Sequence, residues 1–186
     1  MMNELKLTKE NLDNKKVILY PTDTVWGIGC DATNENSVAK VFQIKNRVES
    51  KSLIILVDSL EMLGNYVENI PEAALKILEK TTKPTTIIYN NPKGLAKNVI
   101  AQDNTVAIRI VANEFCISLI KEFGKPIVST SANISGEPTP KSFSEISPSI
   151  LDSVDYIVNL QQNTVATKSS TILRINEQDE IEVIRE

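Results

Sequence analysis

The 186-residue chain contains no histidine. This excludes Ser-His-Asp and Cys-His catalysis, together with any zinc site that needs imidazole. Cysteine is scarce: Cys30 and Cys116 are the only two, and they do not form a C-x-x-C pair. That usage fits a reducing compartment. No apolar run approaches the roughly 18 residues of a membrane span, and the N-terminus lacks the apolar core of a secretion signal. A cytoplasmic protein without a membrane partner is expected. Familiar catalytic and phosphate motifs are missing too. There is no G-x-x-x-x-G-K-[ST] and no nucleophile elbow, and only Gly27 and Gly29 match the spacing of a dinucleotide fingerprint. A formal net charge of −4 gives no support for a broad nucleic-acid field, although a local basic face stays open.

What is present is ordinary globular material. Apolar residues make up 41% and charged residues 24%, and the length suits one domain over residues 1–186. Leu5, Leu7 and Leu12 give the first 14 residues a short helix or an edge segment. Strands are expected near 16–20, 52–57, 85–89, 105–110, 126–128, 156–160, 170–175 and 181–185. Helices are expected near 36–45 (capped by Asn34 or Asn36), 59–66, 71–80 (opened by Pro71) and 114–123, the last capped by Asn113 and stopped by Gly124. This alternation predicts an α/β sheet with helical cover.

Four groups of residues could carry chemistry. The first is Tyr20 to Ala32, where an apolar strand ends in Pro21, Thr22, Asp23 and Thr24 beside Trp26, Gly27 and Gly29. Its alternatives are a polar turn over a core tryptophan and a hydroxyl-rich wall for a small polar ligand. The second is Lys45, Arg47 and Lys51, between a helix and an apolar strand, where a β/α crevice would form. Lysine supplies a point charge and arginine a planar fork for phosphate or carboxylate oxygens, although a solvated charge run paired with Glu49 has the same pattern. The third is Ser129, Thr130, Ser131 and Asn133, short polar groups that follow an apolar strand. The fourth is the Lys168-Ser169-Ser170-Thr171 segment with Arg185. Arg109, on an apolar strand, needs a partner, and a ligand carboxylate, Glu114 or Asp103 would each serve. The economical chemistry is electrostatic, with cations and hydroxyls holding polyanionic reactants in line. Magnesium is implied if the polyanion is a nucleoside triphosphate, and Asp23 is a candidate water-mediated ligand.

From Val17 to Arg185 the chain resembles the YrdC/Sua5 family, the threonylcarbamoyl-AMP synthases. Three blocks in order carry the resemblance: Tyr20-Pro-Thr-Asp-Thr-Val-Trp-Gly-Ile-Gly-Cys-Asp-Ala32, the Lys45-x-Arg47 pair before Leu53-Ile54-Ile55, and Ser129-Thr-Ser-Ala-Asn-Ile-Ser-Gly136. The resemblance implies a twisted, mostly parallel open sheet with helices and a concave ligand cavity, in the short form that lacks an extra C-terminal domain. It implies synthesis of L-threonylcarbamoyl-adenylate and pyrophosphate from L-threonine, bicarbonate and ATP with Mg2+. The product would feed N6-threonylcarbamoylation of tRNA adenosine 37 through downstream transferase proteins. Carried over by motif, Lys45 and Arg47 would be catalytic, while Arg47, Lys51, Ser131, Asn133 and Arg185 would contact ATP. Thr24, Arg109, Ser129 and Ser170 would surround threonine. The chain departs from the family pattern at Val48, where a proline is usual, and at Ala166 to Thr171, where Gly-x-Pro-Ser-Thr is usual. The alternative reading is a tRNA or double-stranded RNA binder without turnover.

Overall fold

Alternation along the strands decides which side chains meet. The computed structural model of the protein describes residues 1–48, 53–166, 169–176 and 178–186. Among them lies a nine-stranded sheet built from β1 (Ile18–Tyr20), β2 (Gly27–Gly29), β3 (Ile54–Val57), β4 (Thr85–Asn90), β5 (Thr105–Ile110), β6 (Ile127–Ser131), β7 (Tyr156–Ile157), β8 (Thr171–Ile175) and β9 (Ile181–Arg185). Their order across the sheet is β7-β1-β2-β6-β3-β5-β4-β8-β9. Successive residues point to opposite faces. Leu19, Ile55, Val57 and Val128 thus join one apolar cluster, and Ile18, Tyr20, Leu56 and Ile127 join another.

Helices cover both clusters. Helix α1 (Met2–Asp13) sends Leu5 and Leu12 into the second cluster, where α5 (Glu114–Phe123) adds Phe115, Leu119 and Ile120. Helix α2 (Glu35–Ile44) covers the first cluster with Val38, Val41 and Phe42, and α4 (Glu72–Lys80) adds Ala74. A short α3 (Leu60–Tyr66) and α6 (Pro148–Leu151) complete the set. Side-chain caps start α2 at Asn34, α3 at Ser59 and α5 at Asn113, and each satisfies a first-turn N–H. Gly124 ends α5 at a φ of 73°, a left-handed geometry that glycine adopts without a Cβ penalty. None of the described helices is long and apolar enough to cross a membrane.

The α/β architecture and its helical cover are as the sequence predicts. The pairing is more mixed than a mostly parallel sheet. The β1·β7, β3·β5 and β4·β8 pairs are parallel, whereas β1·β2, β2·β6, β3·β6, β4·β5 and β8·β9 are antiparallel. Short connections such as β1–β2 and β8–β9 leave no room for a crossover helix, so they return antiparallel. Two strand assignments also change. Strand β2 lies where the glycines suggest a turn, and β6 continues through Ser129, Thr130 and Ser131. Main-chain pairing of Ser129 with Ile54, and of Thr130 and Ser131 with Ile28 and Gly27, outweighs their weak strand preference. At the other edge, β7 stops at Ile157, short of the expected Leu160.

Candidate active site

Sheet register brings the separate sequence blocks to one place. Ser129 of β6 lies opposite Ile54 of β3, and Ser131 lies opposite Gly27 of β2. Arg109 of β5 lies beside Leu56. Pleating puts Ile54, Arg109, Ser129 and Ser131 on one face, and a cavity of about 180 Å³ opens there. Thr24 and Val25 from the β1–β2 loop form one wall, with Arg47 from beyond α2. Ser169, Ser170 and Arg185 close the cavity from the β8–β9 side. Its described lining holds Arg47, Arg109 and Arg185 and no acidic side chain. Such a surface favours an anion.

The arginines are held by different means. Arg109 is only 3% exposed, and its Nη2 donates to Asp23 Oδ1 at 2.9 Å and lies 3.4 Å from Thr24 Oγ1. Asp23 is therefore its partner. Asp103 instead accepts from Thr105 and Arg174. The Nε of Arg109 is buried and has no hydrogen-bond acceptor among the described residues. Arg185, at the end of β9, donates through Nε and Nη2 to the Ser170 carbonyl at 3.2 and 2.8 Å. Ser170 Oγ lies 2.9 Å from Thr86 Oγ1, which fixes the other side of this latch. Burial lowers the pKa of Arg47, while burial and then the nearby Arg109 charge lower that of Arg185. Both shifts mark partial desolvation, and that of Arg185 also reflects the neighbouring positive charge.

These observations frame the comparison with known proteins. The Sua5/YciO/YrdC family model, which carries the description telomere recombination, matches residues 10–186. The chain belongs to this family.

The threonylcarbamoyl-AMP synthase of Idiomarina loihiensis is 33% identical over 165 residues, which span 87% of this chain and 89% of that one. The crystal structure of Pyrococcus abyssi Sua5 complexed with L-threonine superposes with a TM-score of 0.87 at 28% identity. That match covers 97% of this chain but only 53% of the longer Pyrococcus chain. Escherichia coli YciO has a TM-score of 0.87 at 22% identity, over 100% of this chain and 90% of that one, which shows the shared fold.

Of the residues carried over by motif, Thr24, Arg47, Arg109, Ser129, Ser131, Ser170 and Arg185 all line the cavity. Lys51 lies outside the described residues, as do Thr167 and Lys168. Lys45 and Asn133 do not line the cavity. Lys45 is 1% exposed, and its Nζ donates to the carbonyls of Ser131 and Asn133 at 2.5 and 2.7 Å. Burial first, and the Arg47 charge second, push its pKa down to about 8. Asn133 spends its Nδ2 on the carbonyls of Ile134 and Glu137. Both residues shape the loop after β6. Asp23 is engaged on both oxygens, by Arg109 and by the Ala112 N–H. The cavity also contains Thr139, which the sequence reading passed over. Its signal was there: Pro138 and Pro140 hold the segment extended and carry one hydroxyl between them.

Proposed function

We propose that this protein makes L-threonylcarbamoyl-adenylate from L-threonine, bicarbonate and ATP, with release of pyrophosphate. The observation that carries this reading is the cavity itself, where three arginines and a ring of hydroxyls face one space without an acid among them. The described walls enclose about 180 Å³. That is below the roughly 300 Å³ at which sites for drug-sized ligands begin. Threonine fits the enclosed part, and the nucleotide reaches it from the mouth.

In this reading Arg109, a fixed guanidinium on the cavity lining, receives the threonine carboxylate. Thr24, Ser129 and Ser170 surround the side chain and amine. Arg47, Arg185 and Ser131 hold the phosphates, with Lys51 assigned to the same role by its motif. The neutral threonine amine attacks bicarbonate-derived carbon, and water leaves as a carbamate forms. A carbamate oxygen then attacks the α-phosphorus, and the bond to the β,γ-pyrophosphate breaks. Arginines that face the transferring phosphoryl group stabilise charge as it develops, and close packing supplies orientation. Magnesium enters with ATP as part of the substrate. Lys45 takes the role of a tie that shapes the wall, in place of the catalytic role its motif implies.

Action in the cytoplasm, supply of the adenylate for tRNA adenosine 37, and contact with tRNA and the downstream transferase proteins belong to the same proposal. Pyrophosphate release with threonine and bicarbonate varied independently, and the nucleotide product weighed by mass spectrometry, tests it. Strict dependence on both substrates is expected. ATP binding without any release would overturn the enzymatic reading in favour of an RNA-binding one.

A further inference from the structure

Asp23 is absent from the cavity lining, yet both oxygens of its carboxylate are engaged. Its side chain is 8% exposed. Oδ1 accepts from Arg109 Nη2 at 2.9 Å, and Oδ2 accepts from the Ala112 N–H at 3.2 Å. The second bond anchors the carboxylate to the segment between β5 and α5, so it cannot follow Arg109 if that side chain swings. Thr24 Oγ1 borders the same Nη2 and is itself 3.0 Å from Thr22 Oγ1. One nitrogen of a planar fork is thus committed to fixed acceptors, which sets the direction of the others. Among the described residues neither Nε, which is buried, nor Nη1 has a protein acceptor. Behind the pair, Asp23 borders a second cavity of about 360 Å³ with Thr81, Lys83 and Ala112. The ion pair stands between the two spaces, with the arginine lining one and the carboxylate lining the other.

We infer that Asp23 is a positioning residue that aims Arg109 at the carboxylate of the amino-acid substrate. This rests on the function proposed above. Asp23 touches no substrate. It holds the guanidinium plane of an arginine that lines the cavity, and it compensates a buried charge that would otherwise be costly. Discrimination between an amino acid and its carboxamide therefore depends on a residue outside the pocket.

Isothermal titration with L-threonine, L-threonine amide and ATP, on the full chain and on Asp23→Asn and Asp23→Glu, tests the inference. Asp23→Glu keeps the charge but moves the carboxylate by one methylene, so it remains informative if Asp23→Asn does not fold. We expect either variant to lose threonine affinity by roughly 10- to 100-fold, the scale of an ångström-level misplacement. Affinity for the amide and for ATP should stay unchanged, and in turnover KM for threonine should rise more than kcat falls. Unchanged threonine affinity in Asp23→Glu, or an equal loss for threonine, amide and ATP, would overturn the inference and leave a charge-balancing or structural role. Absence of threonine binding by the unaltered protein would overturn the functional reading itself, and the inference with it.

Discussion

The Nζ of Lys45 lies 2.5 Å from the main-chain oxygen of Ser131, although the two residues are 86 positions apart. The same ammonium reaches the Asn133 carbonyl at 2.7 Å, and the Lys45 carbonyl accepts the Ser135 N–H at 2.8 Å. One residue thereby ties the end of α2 to the end of β6, the two segments that bring Arg47 and Ser131 to the cavity. Lys45→Met leaves two carbonyls without their charged donor. A loss of about 2 kcal/mol in folding stability is expected, since an unsatisfied buried acceptor costs ~1–3 kcal/mol. Urea denaturation measures it. A variant as stable as the natural protein would show that the tie contributes nothing.

The same lysine predicts a pH effect. Its folded pKa is lowered to about 8, while in the unfolded chain it titrates at its ordinary value of roughly 10.4. Between those limits the unfolded chain keeps a proton that the folded chain has released. This group therefore makes unfolding free energy rise with pH across that window, and the cost of burying its charge is fully present below it. The stability difference between the natural protein and Lys45→Met should shift toward the natural protein from about pH 7 to about pH 10. A pH-independent difference would mean that Lys45 titrates normally.

Substitution of Arg47 and Arg109 by alanine should have unlike consequences. Both are expected to abolish adenylate formation. Arg47→Ala should leave the fold intact, because its pair of walls is held by other contacts, among them the Lys45 tie. Arg109→Ala leaves Asp23 buried without its counter-charge, and breaking such a pair costs ~3–5 kcal/mol. Thermal melts beside pyrophosphate-release assays separate the two. Near-normal turnover in both variants would dismiss the assigned cavity.

Two nearby glycines make a contrasting pair. A Cβ on Gly29 would lie 2.5 Å from the Val128 carbonyl oxygen and 2.5 Å from Tyr20 Cε1, inside the sheet. Gly29→Ala should destabilise the protein by about 1–3 kcal/mol, as overpacking does. A Cβ on Gly27 would meet Ser129 Oγ at 3.1 Å, at the cavity wall. Gly27→Ala should keep most of the stability and weaken substrate binding. Denaturation and ligand titration on each variant check the assignment, and the reverse pattern would contradict it.

Much of the fold was legible in the chain because local signals and tertiary demands agree. Asn34 and Asn113 cap the helices expected there, and Thr105 to Ile110 forms the strand its β-branched pattern implies. The legible part of the site was its residue types: arginines and hydroxyls without histidine exclude most nucleophilic chemistry and point to anion binding. The three motif blocks carried the family.

Partnership was decided only in three dimensions. Nothing local distinguishes Asp23 from Asp103 as the mate of Arg109, because that choice depends on where the β1–β2 loop lies against β5. Lys45 and Arg47 look alike in the chain, yet the turn after α2, with Asn46 at a φ of 48°, sends one beneath the β6 loop and the other into the cavity. The serines of β6 read as a loop until pairing with β2 and β3 makes them a strand. The sequence determined which chemistry was available through its side-chain types and their periodicity. Long-range register and burial decided which of those groups hold the wall and which face the substrate, because such contacts join residues too far apart in the chain for any local pattern to specify.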